Sequence, residues 1–231
     1  AVDSKKSKRN WMIHGIGSTN FQEEHQLHQS LQDQSYLYSV LSLPSGQLDV
    51  VGSLSSLGHT RTSVSDFESA LKAMSSTNTE IISMTVTEKG YHQDSSTGAL
   101  NYRSPDIIHD MNQLSQTNVR DASSLYPIKT TVGLLVASLG LRKHLDVGGG
   151  KPITLLCCDN LPHNGDVLKS LVMEMSESLD PSLAKWIENS VAFPNSMVDR
   201  ITPAADEKTY RRIKDALGID CLAPVQAEDF Y

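Results

Sequence analysis

Thr154-Leu155-Leu156-Cys157-Cys158-Asp159-Asn160-Leu161-Pro162-His163-Asn164-Gly165 is the stretch whose reading decides the fold. An apolar run stops abruptly in polar residues and a proline. A pattern of helical spacing follows, with Val167, Leu168, Leu171, Val172, Met175 and Leu179 predicted to face inward. A short run that is apolar on both faces suits a strand buried above and below in a parallel sheet, and open α/β sheets bind ligands at the carboxyl ends of such strands. Asp159, Asn160, His163 and Asn164 are therefore expected at a ligand-facing edge. A second stretch, Phe193-Pro194-Asn195-Ser196-Met197-Val198-Asp199-Arg200-Ile201-Thr202-Pro203, offers Asn195, Asp199 and Arg200 in a loop fixed by two prolines. These patterns predict a cleft without naming a reaction.

The flanking segments extend the same architecture. Residues 81–86 read as another buried strand, which sets Thr87, Glu88 and Lys89 on the ligand side; a solvated loop is the ordinary setting for Lys89. Trp11-Met12-Ile13-His14 reads as a first strand leading into Gly15-Ile16-Gly17. Such a strand sets backbone amides against a pyrophosphate at a helix N-terminus. The place of a third glycine holds Asn20, so on the residues alone a plain glycine turn competes with that reading. Residues 36–41 and 48–51, separated by Pro44-Ser45-Gly46, predict a hairpin beside the parallel sheet. Helices are predicted over residues 63–74 (Val64, Phe67, Leu71 and Met74 on one face), 104–111, 126–145, 180–187 and 206–217, the last stopped by Gly218. A final strand is read at residues 223–226. His109 is expected as a structural hydrogen-bonder. Gly148-Gly149-Gly150-Lys151 is not a phosphate loop, because Pro152 stands where Ser or Thr is needed and the Lys precedes a strand.

Composition removes whole classes of function. The chain has 231 residues, 39% hydrophobic and 20% charged, enough for one well-filled core with an extension. A net charge of -7 argues against nucleic acid, which calls for a basic surface, and no apolar run reaches membrane-spanning length. Cys157, Cys158 and Cys221 are an odd set, two of them adjacent in a predicted buried strand. Packed thiols in a reducing, cytoplasmic setting are expected, not a disulfide framework. No Cys-x-x-Cys zinc spacing occurs, so no metal site is expected. Residues 1–10 are basic, lack the apolar core of a secretory signal, and are expected to be flexible.

Residues 158–165 and 193–203 resemble signature strings of the polyol-specific long-chain dehydrogenases, the mannitol dehydrogenase and fructuronate reductase family. Residues 85–91 and 104–110 match as well, and the likeness is dense from about Tyr36 onward. The resemblance implies an α/β fold: a Rossmann-like, mostly parallel sheet with flanking helices, partly degenerate at the N-terminus. Residues 11–231 would form the dinucleotide-binding domain, with the family's C-terminal helical domain absent. It implies zinc-independent hydride transfer that interconverts a polyol or aldonate with a ketose or keto-uronate, with NAD preferred to NADP. Carried over residue by residue, Gly15, Ile16, Gly17 and Phe21 fall on the cofactor, and Thr87 and Glu88 on the loop beside its cleft. Asn160 falls on the cofactor and on the alkoxide that develops at the substrate; an oriented amide donor stabilises such growing charge. Asp199, with Asn195 and Arg200, falls on substrate hydroxyls. The residues themselves also allow Asn160 to hold a strand-to-helix turn, His163 and Asn195 to be loop scaffolding, and Arg200 to pair with Asp199.

The sequence departs from the family pattern near its start. Glu23 stands where relatives have Arg, a carboxylate where a guanidinium would attract a pyrophosphate. Residues 28–34 correspond to a later helix, so the end of the first helix and the second strand are missing from the pattern. With them goes the acid expected about 20 residues after the glycines, on the adenosine ribose. Glu24, Asp33 and Asp49 are candidates by distance only. The family's catalytic Lys lies in the C-terminal domain, so the 231 residues alone are expected to show no useful turnover. Three readings follow: the cofactor domain of a dehydrogenase, a non-catalytic or degenerate module that pairs with a chain supplying the helical domain, or a truncated gene reading of a full-length enzyme. The expected small-molecule partner is a sugar alcohol, ketose or keto-uronate.

Overall fold

The computed structural model describes residues 11–18, 22–116, 121–145, 151–197 and 201–229. In chain order the described elements begin with β1 (Ile13–Gly17), α1 (Gln22–Asp33), β2 (Tyr38–Leu43), β3 (Leu48–Val51) and β4 (Leu54–His59). They continue with α2 (Val64–Ser75), β5 (Ile81–Met84), a 3-10 turn (Glu88–Tyr91), α3 (Pro105–Gln116), a second 3-10 turn (Ser123–Leu125) and α4 (Thr131–Leu145). Then come β6 (Ile153–Cys157), α5 (Asn164–Leu179), α6 (Pro181–Ser190), β7 (Val191–Ala192), α7 (Glu207–Leu217) and β8 (Val225–Glu228). The chain divides into two compact units: residues 1–58 with 200–231, and residues 59–199.

The unit of residues 59–199 is organised around β6. This strand pairs in parallel with β5, Ile81 opposite Thr154 through Met84 opposite Cys157, and with β7 on its other side. Ile153, Leu155 and Cys157 are buried and Thr154 and Leu156 half-buried, as befits a strand covered on both faces. Behind it α4 is enclosed by α2, α3, α5 and α6, and its residues 135–142 are buried without a break. Helices that are apolar all round belong in an interior. Its one buried cation, Arg142, donates to the carbonyls of Thr79 (2.9 Å), Lys151 (3.0 Å), Pro152 (3.3 Å) and Ser76. Those bonds offset the cost of taking a guanidinium out of water and fasten α4 to the start of β6.

α4 begins at Thr131, not at the Tyr126-Pro127 pair that the sequence suggests. Its cap arrives from another helix. Asp110 of α3, fully buried, accepts the backbone N–H groups of Lys129 and Thr130 at 2.8 Å each and the Thr130 hydroxyl at 2.7 Å. The Thr130 oxygen in turn accepts the Gly133 N–H at 2.9 Å. His109 leans on the same carboxylate at 3.2 Å, in the structural role expected of it.

In the other unit, β2 lies between β3, antiparallel as the expected hairpin requires, and β8, parallel. α1 is one continuous helix, and no described strand stands between it and β2, in keeping with the missing second strand. β1 pairs with β4, a strand the sequence pattern did not suggest. The α/β class with parallel pairing is as expected, and among the described residues the pairing is shared among β1–β4, β3–β2–β8 and β5–β6–β7.

Candidate functional site

The carboxyl end of β6 is built by side chains that satisfy backbone groups. Asn164, fully buried at the first position of α5, joins three segments. Its amide donates to the carbonyls of Asp159 (3.1 Å), Ser196 (3.2 Å) and Cys157 (3.4 Å), and its oxygen accepts the Gly165 N–H (2.8 Å) and the Ser196 N–H (2.9 Å). The Ser196 hydroxyl returns to the Cys157 carbonyl. Helix α5 is capped from a distance. The Asn195 oxygen accepts the N–H groups of Gly165 (2.9 Å) and Asp166 (3.1 Å), and its amide donates to the Asp166 carboxylate (2.9 Å). That is N-cap chemistry, supplied by a loop residue because His163, at the helix's own cap with φ of 54°, makes no side-chain cap bond. The approach depends on Gly165, where an added Cβ would lie 2.6 Å from the Pro194 carbonyl carbon and 2.7 Å from the Phe193 oxygen.

Beside this junction the loop after β5 is tied to the loop after β6. Asp159 accepts the Val86 N–H and the Tyr91 hydroxyl. Tyr91 is 1% exposed, and its hydroxyl also reaches Cys157 Sγ at 3.1 Å. Burial first, then the hydrogen bonds to Asp159 and Cys157, push the phenol far above its usual range, so it remains a protonated donor. Burial likewise raises the Cys157 thiol, against the lowering effect of the Tyr91 hydrogen bond. The 3-10 turn that carries Tyr91 closes with Gly90 N–H on the Thr87 carbonyl at 2.8 Å, and a Cβ at Gly90 would sit 2.6 Å from Val86 Cγ1.

Val86, Thr87, Tyr91, Asp159, Asn160 and Leu161 line a pocket of about 250 Å³ at this edge. A depression of about 500 Å³ lies where β6 begins, lined by Glu80, Lys151 and Asn189 among others. Ligands of open α/β sheets bind outside the carboxyl ends of strands, so the smaller pocket is the candidate site. The structure brings Thr87 and Asn160 together there, both exposed. Glu88 opens the adjacent 3-10 turn, with its side chain outside the described residues. Asn195 is the α5 cap, the scaffolding role that the residues allowed. Phe21, Asp199 and Arg200 lie outside the described residues, as do Gly148-Gly149-Gly150 and the basic start of the chain; of Glu23 only the helical backbone is described.

Two expectations change. Gly15, Ile16 and Gly17 are not a turn after the first strand but the last three residues of β1. A Cβ at Gly15 would come within 2.7 Å of Leu57 Cδ2, the end of a side chain on β4, the strand paired with β1. None of the three acids proposed for the ribose stands at the end of a strand that follows α1. Asp33 ends α1 and accepts the Gln29 amide at 2.8 Å, Asp49 sits in β3 bonded to Gln47 at 3.0 Å, and Glu24 lies within α1. Tyr91 is the site residue that the sequence reading did not single out, although it ends one of the stretches, residues 85–91, that resemble the family. Gly90 before it, where a Cβ would lie 2.6 Å from Val86 Cγ1, was the available signal. Among the described residues no group of three or more His, Cys, Asp or Glu is placed to hold a metal, and no helix is long and apolar enough to cross a membrane.

Comparison with known proteins identifies the family. The mannitol dehydrogenase Rossmann domain matches residues 6–231. D-mannonate oxidoreductase of Escherichia coli (strain K12) is 36% identical over 204 residues, 87% of this chain and 39% of that protein. Mannitol 2-dehydrogenase of Pyricularia oryzae is 34% identical over 202 residues, 87% of this chain and 37% of that protein. The structure of Pseudomonas fluorescens mannitol 2-dehydrogenase in ternary complex with NAD and D-mannitol aligns with a TM-score of 0.79 at 32% identity, over 96% of this chain and 42% of that one. The chain thus spans about two fifths of the length of these relatives. By the match across residues 6–231, and by fold and sequence together, it belongs to the mannitol dehydrogenase Rossmann-domain family.

Proposed function

We propose that residues 11–231 are the dinucleotide-binding domain of an NAD(P)-dependent oxidoreductase that interconverts a polyol or aldonate with a ketose or keto-uronate. The observation that carries this reading is the pocket at the carboxyl end of β6, where Thr87 and Asn160 face a cavity walled by Val86, Tyr91 and Leu161. At about 250 Å³ it is below the roughly 300–1,000 Å³ of a site enclosing a whole small molecule. It suits one end of a dinucleotide, and a mixed wall with an amide donor fits the nicotinamide end. The cofactor, when bound, accepts or gives the hydride. The task of this chain is to orient and to polarise. Asn160 would donate its amide to the oxygen on which charge grows, Thr87 and Glu88 would flank the cofactor, and Asp199 with Arg200 would take substrate hydroxyls. By the likeness to the family, Gly15, Ile16, Gly17 and Phe21 would meet the pyrophosphate. NAD is preferred over NADP by the likeness to the family; a relative from Gluconobacter oxydans carries the name polyol:NADP oxidoreductase.

These residues supply no proton-transferring Lys in the pocket, a contribution of about 10²–10⁴ in rate. A polypeptide of residues 1–231 is therefore expected to bind NADH saturably at micromolar concentration while turning over mannitol, fructose or a keto-uronate at no useful rate. Nicotinamide fluorescence with calorimetry checks the first, and a robust rate refutes the second. A second reading, a non-catalytic module that pairs with a chain carrying a helical domain, is favoured by one observation: α1 runs into β2 with no described strand between. No NADH or NADPH binding at millimolar concentration, by a chain shown to be folded, makes that the leading account.

A further inference from the structure

We propose that Asp159 is a positioning residue for the nicotinamide end of the cofactor: its carboxylate, held by the Val86 N–H and the Tyr91 hydroxyl, sets the separation between Thr87 and Asn160. The inference deepens the reading of the pocket as a cofactor site and rests on it.

Three observations support it. The Asp159 carboxylate bridges two loops that are far apart in sequence, Val86 being 73 residues away and Tyr91 68. The bond between Asp159 and Val86 links the immediate neighbours of the two candidate contacts, since Val86 precedes Thr87 and Asp159 precedes Asn160. The clamp is also braced from behind. Tyr91 is inaccessible at 1% exposure, its hydroxyl has Cys157 Sγ as a second partner at 3.1 Å, and its turn depends on Gly90 packed on Val86. Parallel pairing of Met84 with Cys157 aligns the strands themselves, and the Cys158 N–H donates to the Met84 carbonyl at 2.8 Å. Beyond that point, among the described residues, Asp159 ties the two loops together through Val86 and Tyr91. A carboxylate that accepts a backbone N–H and a phenol hydroxyl fixes both loop ends in one geometry, and charge-assisted bonds of this kind are the stronger class. Neither oxygen of the clamp needs to touch the cofactor for the spacing to matter.

The geometry separates a positional role from one of charge. In Asp159→Asn the side-chain oxygen still accepts the Val86 N–H. The amide donates to the Tyr91 oxygen, whose own hydrogen turns to Cys157 Sγ. The clamp therefore survives the loss of charge. Asp159→Ala and Tyr91→Phe break it.

The experiment titrates the full 231-residue chain and these three variants with NADH and with ADP-ribose, which has the pyrophosphate and no nicotinamide, and records circular dichroism of each. In Asp159→Ala and Tyr91→Phe the NADH dissociation constant is expected to rise roughly tenfold, the equivalent of about 1.4 kcal/mol. The enhancement of nicotinamide fluorescence should fall, while ADP-ribose affinity stays unchanged. Asp159→Asn is expected to restore NADH binding to near the parent value. A purely structural role would lower both ligands alike. Loss of ADP-ribose binding in step with NADH, failure of Asp159→Asn to rescue, or parental NADH affinity in Tyr91→Phe overturns the proposal while leaving the cofactor reading intact. A parent chain that binds neither ligand overturns the cofactor reading and this inference with it. If Asp159→Ala does not fold, Tyr91→Phe, which keeps the buried ring, decides.

Discussion

Replacing Gly165 by alanine probes the joint that holds the whole β6–α5 corner. The new methyl would meet the Phe193 and Pro194 carbonyl groups, including the Pro194 carbon at 2.6 Å. These are backbone atoms, so the loop must retreat instead of a side chain swinging aside. Retreat takes Asn195 away from the N–H groups of Gly165 and Asp166, and loss of an N-cap costs about 0.5–2 kcal/mol. Strain from overfilling a packed site adds about 1–3 kcal/mol, for a total on the order of 2–4 kcal/mol. At this chain size each kcal/mol moves Tm by about 2–4 °C, so the expected fall is on the order of 4–16 °C. Circular-dichroism melts of Gly165→Ala, Asn195→Ala and the double variant make the test. Both single changes remove the same cap, so the double variant should lose less than the sum of the two. A Gly165→Ala chain that melts with the parent refutes the reasoning, and strict additivity refutes the shared-cap account.

Other expectations follow from buried groups. Arg142→Lys should destabilise the chain nearly as much as Arg142→Leu, by about 3–5 kcal/mol in denaturant unfolding. A lysine ammonium cannot reach the spread of carbonyls that the guanidinium fork serves, and full rescue by Lys would contradict that. Iodoacetamide should label Cys158 and Cys221, both partly accessible, well before Cys157, whose thiol burial holds in the unreactive form; peptide mass mapping reads the order. Acid should destabilise the chain through aspartates hydrogen-bonded at helix starts, Asp66 in the first turn of α2 and Asp180 and Asp206 as the caps of α6 and α7. Hydrogen bonds from Thr62 and Ser63 lower Asp66, those from Ser182 lower Asp180, and those from Thr209 lower Asp206. A depressed carboxyl stabilises the fold above its ordinary value of 3.8 and loses that contribution as pH falls through the lower folded value. Melting temperature should therefore decline below pH 3.8, and Asp180→Asn should flatten that decline.

The sequence made the local structure legible wherever one stretch of chain decides it. The apolar run ending at Cys157 became the buried central strand, and residues 181–190 became a helix with Asp180 as its cap, accepting the Ser182 N–H at 2.8 Å. Leu168, Leu171, Val172 and Met175 went inward as their spacing required, whereas Val167 and Leu179 are only half-buried and Val64 is 46% exposed. What stayed hidden depends on partners distant in sequence. The start of α4 is set by Asp110 from α3, and the start of α5 by Asn195 from a later loop. Tyr91 looks like a loop residue until β6 is set beside it. β7 has two residues, too few for any period to show. Gly15 shows a related limit: the sequence placed the glycines after the first strand, whereas hydrogen bonding carries β1 through Gly17.

The discontinuity of the first unit has a consequence for biosynthesis. Residues 59–199 leave the ribosome as one uninterrupted piece, with β5, β6 and β7 and every helix that covers them. The hairpin of β2 and β3 emerges earlier, yet Val40 and Leu41 await Val225 and Gln226 for their second edge. The middle of the chain is thus free to fold co-translationally while its beginning stands idle with an open strand edge, the kind of surface that recruits unwanted neighbours. A pause in translation near residue 199 would lengthen the interval in which β2 lacks β8 as its second neighbour.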